Sequence, residues 1–175
     1  MLVGGGVRKP VLDTTLCLPL RGRPPRQVLL GLKRVGFGAG KLTGIGGKVE
    51  PGEEVVVAAA RELEEEVGLV AGPADLWLAA RLAFHFPHRP DWSTVMYVFL
   101  LWSWRGTPAA GREIEPAWFK VEGIPYGRMW ADTAHWLPRV LVGERIQGSF
   151  TFAADNQTVA TADLAAWPVD HQVGG

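Results

Sequence analysis

The stretch GGKVEPGEEVVVAAARELEEEVGLV, residues 46–70, combines an amphipathic helix with a concentration of carboxylates along one side of it. At about 100° per residue, Val56, Ala60, Leu63 and Val67 share a stripe suited to burial against a sheet. Glu62, Glu65 and Glu66 occupy the arc beside that stripe. Carboxylates at i, i+3 and i+4 next to a core repel one another and lose solvation unless something positive sits among them. A hard cation with oxygen ligands meets that need. Arg61 precedes Glu65 by four residues and lies within reach of Glu53, so its expected work is to orient the acidic cluster. Gly68 offers the left-handed residue that ends a helix. A solvated acidic face is the plain alternative for an EEE run.

Around this stretch the chain of 175 residues fits one domain with a real core. Lys plus Arg and Asp plus Glu balance at 18 each, so the basic excess needed to bind a nucleic-acid polymer or an anionic membrane surface is missing. A free nucleotide needs only a few local cations. Cys17 is the only cysteine, which excludes an internal disulfide and points to a reducing compartment. The segment MLVGGGVRKP has no apolar run of signal-peptide length, and Val95 to Trp104, the most apolar stretch, is too short to span a bilayer. The expectation is a soluble, cytoplasmic monomer.

Strands are expected over Thr14 to Leu20 and Gln27 to Leu32, joined by the turn-forming Arg21 to Pro25. A Gly-rich loop, Gly36 to Gly47, leads into the helix. Leu76 to Phe86 and Val95 to Trp104 read as strands flanking a turn at Pro87 to Pro90, and Trp118 and Phe119 begin a short one. Trp130 to Gly143 has a helical pattern, and Phe150, Phe152 and Val159 suit a final hairpin around Ala154 to Gln157. One mixed sheet with helices on it is the expected architecture. Residues 1–12 read as a flexible arm, 13–165 as the single domain and 166–175 as a flexible tail.

Gly47, Glu53, Arg61, Glu62, Leu63, Glu65, Glu66, Gly68 and Leu69 fill every fixed position of the box G-x5-E-x7-R-E-U-x-E-E-x-G-U, where U is apolar. In this the chain resembles the Nudix hydrolases, which split nucleoside diphosphates linked to another moiety. That resemblance implies an α/β fold, an α/β/α sandwich with a mixed central sheet. Two further segments, QVLLGLKRVGFGAGKLTGIGGKV (27–49) and PAWFKVEGIPYGRMWADTAHWLP (116–138), with a looser match at Gly148 to Phe152, are similar to the MutT-like enzymes that destroy oxidised purine nucleoside triphosphates.

Carried over position by position, the resemblance makes Glu62, Glu65, Glu66, Glu113 and a backbone carbonyl near Gly46 ligands of Mg²⁺, with Mn²⁺ as a substitute. Glu66 or Glu113 becomes the general base. The substrate falls to Lys33 at a phosphate, to Ile45, Gly46, Gly47 and Lys48 along the loop, and to Phe37, Phe84, Phe86 and Trp130 around the purine. Phe84 and Phe86 alternate as strand residues do and equally suit a core; a solvated strand lysine is the alternative for Lys33, and an ordinary loop glutamate for Glu113. Trp104, Trp118 and Trp136 suit a core. Two departures stand out: Thr43 replaces an asparagine of the family, and Asp132 and Thr133 replace a pair of aspartates. A hydroxyl offers fewer hydrogen-bonding options than an amide or a carboxylate, so base preference is open to a shift. The implied reaction converts 8-oxo-dGTP to the monophosphate and pyrophosphate, keeping the damaged nucleotide out of DNA. Other readings are a Nudix enzyme for an unmodified dNTP, ADP-ribose or a dinucleoside polyphosphate, and a catalytically silent nucleotide sensor.

Overall fold

The computed structural model describes residues 10–168. In chain order the elements are β1 (Leu12–Arg21), β2 (Gln27–Lys33), β3 (Leu42–Thr43), α1 (Val55–Val67), β4 (Trp77–His85), β5 (Thr94–Leu101), β6 (Ile114–Lys120), α2 (Thr133–Leu141), β7 (Ile146–Phe152) and β8 (Val159–Ala166). The strands form one mixed sheet in the order β3-β2-β1-β5-β4-β7-β8, with β6 also paired to β2. β1 runs parallel to β5 and β4 parallel to β7, while the other pairs are antiparallel.

Strand periodicity divides the core in two. Successive side chains point to opposite faces, so Leu16, Leu18 and Leu20 of β1, Val28 and Leu30 of β2, and Val98 and Leu100 of β5 enter one cluster, together with Trp136, Leu137, Val140 and Leu141 of α2. Cys17, Leu29, Phe99 and Leu101 point the other way and pack with Ala59, Leu63 and Val67 of α1. The sheet is thus the middle layer between the two helices, an α/β/α arrangement.

Local differences from the sequence expectations have physical causes. The buried face of α1 centres on Ala58, Ala59, Leu63 and Val67, with Val56 and Ala60 only partly buried; the helix rolls so that small residues make its closest approach, with Cys17 Sγ 3.6 Å from the Ala59 carbonyl oxygen. β5 stops at Leu101 because Trp102 leaves the ladder and donates its indole N–H to the Gly22 carbonyl (3.0 Å). β6 is seven residues long; it carries Pro116, which an outer strand tolerates, and pairs along the whole of β2. α2 starts at Thr133, because Trp130 to Asp132 form the turn ahead of it, where the Thr133 amide donates to the Trp130 carbonyl (3.0 Å). Leu12, expected in the arm, is the first residue of β1 and pairs with Thr94. Ala166, expected in the tail, ends β8, and the Trp167 amide donates to the Arg145 carbonyl (2.8 Å) while the Arg145 guanidinium lies over the Trp167 ring. The rest of the expected arm and tail, 1–9 and 169–175, lies outside the described residues. No helix among the described residues is long and apolar enough to cross a membrane.

Candidate active site

The segment Gly46–Gly47 crosses β1 at close range: the Thr15 amide donates to the Gly47 carbonyl (2.8 Å), and a Cβ on Gly46 would collide with the Thr15 carbonyl oxygen. A Cβ on Gly47 would stand 2.5 Å from the carboxyl carbon of Glu62. Two side-chain-free residues therefore let the loop wedge between the sheet and the acidic face of α1. Gly68 closes the helix in the left-handed region (φ 75°), its amide donating to the Glu64 carbonyl. Beyond it the chain stays docked, with the Ala109 amide on the Val67 carbonyl (3.0 Å), and returns as Glu113 immediately ahead of β6.

Arg61 is the hub of the acidic cluster. Its Nε and Nη2 grip Glu53 at 2.8 and 2.9 Å, Nη1 donates to Glu62 (3.0 Å) and Glu65 (3.2 Å), and Nη2 also reaches the Lys48 carbonyl (3.1 Å). The fork geometry suits such multiple recognition. Beside this guanidinium Glu53 is held down at about 2. Glu62 and Glu66 move the opposite way. Burial raises both; Arg61 opposes the rise at Glu62, and the neighbouring charges of Glu113 and Glu62 add to it at Glu66, where Lys33 opposes it. Glu66 Oε2 is buried without a hydrogen-bond partner. Such an oxygen costs stability where it stands.

These observations bear on a cation. Among the described residues no three His, Cys, Asp or Glu side chains converge as a ready-made cage; Glu62 and Glu65 are instead engaged by Arg61. Yet Glu62 and Glu66 lie within electrostatic reach of each other and of both Glu65 and Glu113, all donors are hard oxygens, and one is orphaned. That donor set fits a divalent cation of the kind Nudix hydrolases generally use.

Next to the acids lies a cavity of about 390 Å³, inside the range of small-molecule sites. Lys33, Phe37, Thr43, Gly46, Gly47, Lys48, Phe84, Phe86, Trp130, Asp132 and Thr133 all line it. Phe84 and Phe86 serve both roles considered for them, lining the cavity while stacking on Phe150 (5.6 Å) and Phe152 (4.4 Å) behind it. Phe37 stacks on Trp130, with centroids 5.1 Å and planes 22° apart. Asp132 is 4% exposed. Its carboxylate accepts the Trp136 indole N–H (2.8 Å), yet burial outweighs that bond and lifts the group to about 6. Lys33 and Gly47 connect the two halves, since both line the cavity while one acts electrostatically on Glu66 and the other abuts Glu62.

Ile45 stands apart from the other loop residues expected at the substrate. Its side chain is fully buried on the α1 side, and its backbone bridges to Cys17, so it contributes no wall to the cavity. Trp136 is core, as expected, and also lines the cavity, whereas Trp104 and Trp118 stack on each other (5.9 Å) beside the α1 cluster. Several lining residues escaped the sequence reading: Thr14 and Leu16 on β1, Lys41, whose Nζ lies 4.9 Å from the Trp130 ring centroid, Met129, Phe152 and Trp92. Trp92 alone carried a signal, an indole in an otherwise polar, proline-bounded turn.

The family described as NUDIX domain matches residues 12–140. The chain is 41% identical over 128 residues to the oxidized purine nucleoside triphosphate hydrolase of Danio rerio, covering 73% of this chain and 80% of that protein. It is 37% identical over 150 residues to the Mus musculus protein of the same name, covering 86% and 92%. The crystal structure of a MutT protein from Bacillus halodurans shares the fold, with a TM-score of 0.76 at 22% identity over 90% of this chain and 100% of that one. With the full box in its sequence, the acids of α1 around Arg61 and these similarities, the chain belongs to the Nudix hydrolase family.

Proposed function

We propose that this enzyme hydrolyses oxidised purine nucleoside triphosphates, 8-oxo-dGTP first, to the monophosphate and pyrophosphate, and so keeps them out of DNA. The supporting observation is the continuity of the cavity with the acids: aromatic rings surround a buried carboxylate at one end, and Lys33 and Gly47 lead to Glu62 and Glu66 at the other. The two vertebrate relatives of that name, and the 8-oxo-dGTP diphosphatase of Escherichia coli at 37% identity over 87 residues, favour the same substrate class.

The residues divide the work. Trp130 and Phe37 offer faces for a base, a stack of about 1–3 kcal/mol, and Asp132 pairs with the base edge, flanked by Thr43 and Thr133. Lys33 sets a point charge against the phosphates. Glu62, Glu65, Glu66, Glu113 and the Gly46 carbonyl would hold magnesium, with manganese as a substitute, and when bound the cation would supply charge neutralisation at the phosphoryl oxygens and a more acidic water. Glu66 or Glu113 accepts the proton of the attacking water. The water oxygen bonds to phosphorus as the bridging α/β linkage breaks, and pyrophosphate leaves. Arg61 touches no reacting atom in this scheme and positions Glu53, Glu62 and Glu65. A monomer in the cytoplasm suits the single buried cysteine.

The test is pyrophosphate release with Mg²⁺ from 8-oxo-dGTP and from dGTP, compared by kcat/KM. A strong preference for the oxidised base supports the reading. Equal or absent activity on both means that Thr43 and Thr133 have moved the specificity elsewhere.

A further inference from the structure

The connection from β4 to β5 is tightly knit. The Arg89 amide donates to the Phe86 carbonyl (3.0 Å), the Trp92 amide to the Arg89 carbonyl (2.8 Å), and the Phe86 amide to the Ser93 hydroxyl (3.0 Å). Pro87 and Pro90 restrict the backbone further. The Arg89 guanidinium lies 4.4 Å from the centroid of the Trp92 ring while forking onto Asp91 at 3.2 and 3.1 Å. Trp92 reaches the cavity, where it meets Phe37 edge to face (4.8 Å) and Phe86 edge to face (5.7 Å). Those same two phenyl rings also touch Trp130. The cavity therefore has a third indole beside Trp130 and Trp136, held by a loop that belongs neither to the acidic box nor to the segment carrying Asp132.

We propose that Trp92 is a wall of the base site that selects purines over pyrimidines by stacking area, leaving the reading of oxidation to Asp132, Thr43 and Thr133. This rests on the substrate class assigned above. An indole on a preformed loop offers a large, stiff apolar surface at low ordering cost, and its contact grows with the size of the ring system placed on it. Stacking through the ring face makes no hydrogen bond to a base edge, so that contact is the same for the oxidised and the unmodified purine. Ring size and oxidation are thus read by separate residues.

The test uses Trp92→Leu, which keeps apolar volume without an aromatic face, and Trp92→Phe, which keeps a smaller face. 8-oxo-dGTP, dGTP and dCTP are measured with each, dCTP as substrate or as competitive inhibitor. The expected result for Trp92→Leu is a KM for both purine nucleotides raised about tenfold, in line with the loss of one stacking contact, with kcat within about twofold. The dCTP constant rises by a clearly smaller factor, the preference for 8-oxo-dGTP over dGTP persists, and Trp92→Phe recovers most of the purine affinity. A variant that merely loosened the fold would weaken all three nucleotides by the same factor, and that result overturns the proposal. Unchanged purine KM in Trp92→Leu overturns it alone, while a wild-type enzyme without turnover of any purine triphosphate defeats the substrate reading and this inference with it.

Discussion

Replacing Asp132 by asparagine exchanges function for stability in a way that pH makes visible. The folded protein lifts this carboxyl from 3.8 to about 6 by burial, against the pull of the Trp136 indole N–H. At about 1.36 kcal/mol per unit, the ionised form costs the fold about 3 kcal/mol above pH 6. The sign follows from proton counting: between 4 and 6 the folded state holds the proton more tightly than the unfolded chain, so this group's contribution to stability is fully present below about 4 and is lost as pH rises through 6. The amide introduced by Asp132→Asn keeps an oxygen for Trp136 but adds two N–H donors in a site that is 4% exposed, which returns about 1–2 kcal/mol of the gain. Denaturant unfolding of wild type and Asp132→Asn from pH 4 to 8 should show a difference that moves by about 3 kcal/mol in favour of the variant across that range, leaving it more stable at pH 8. A difference independent of pH would refute the account of a strained, ionised Asp132. The same variant should lose kcat/KM for 8-oxo-dGTP more than for dGTP, because the carboxylate proposed to read the base edge is gone.

Glu66→Gln should lower kcat by about two orders of magnitude or more, without lowering the melting temperature, since the removed charge was destabilised by burial and by Glu113; pyrophosphate release and thermal unfolding check both halves. Gly47→Ala should fold yet lose most turnover, because its methyl displaces the flexible end of Glu62, whereas Gly46→Ala drives into the Thr15 backbone and should fail to yield folded protein, as circular dichroism would register. Arg61→Ala frees Glu53, Glu62 and Glu65 at once and should cost about 1–3 kcal/mol, discounted because the guanidinium is 24% exposed; equal stability of variant and wild type would deny it the role of hub.

Much of the fold was legible because strands and helices with one buried side leave a period in the sequence. The alternation Leu16, Leu18, Leu20 against Cys17 says that β1 is covered on both faces, and Glu62, Glu65, Glu66 beside Leu63 says where acids and core meet. The roll of α1 onto Ala58 and Ala59 was illegible, since an apolar stripe as wide as Val55 to Ala60 leaves the angle to the packing partner. The length of β6 was hidden by Pro116, which argues against a strand until one knows that the strand lies outside β2. At the site, the box and the two flanking segments marked nine of the cavity's lining positions, and the resemblance added Phe84 and Phe86 on β4. Ile45 was misplaced because neighbours on an extended chain point to opposite sides, so a loop that touches the cavity through Gly44, Gly46 and Gly47 must send Ile45 the other way. Trp92 and Lys41 were missed for the opposite reason: they reach the cavity from turns, where no period announces the direction of a side chain.

The two ends of the site share one electrostatic logic. Glu62 and Glu66 are held where burial and mutual repulsion disfavour their charges, and Asp132 where burial alone does so. None of these arrangements serves the fold, which would be more stable with the groups neutral. On the proposed reading, each becomes favourable when a ligand brings what the protein withholds: a cation among the helix carboxylates, or a donor from a base edge at Asp132. Lys33 stands between them, able to meet the phosphates that join the two, and it already moderates the charge of Glu66. A nucleotide that satisfies only one end leaves the other costly, so discrimination is built into the requirement that base, phosphates and cation arrive in one geometry. Thr43 and Thr133, where the resemblance to the MutT-like enzymes implies an asparagine and an aspartate, line the cavity with Asp132. On that reading, any drift in specificity is a change in which base edge relieves Asp132, with the acid-bearing end left as it was.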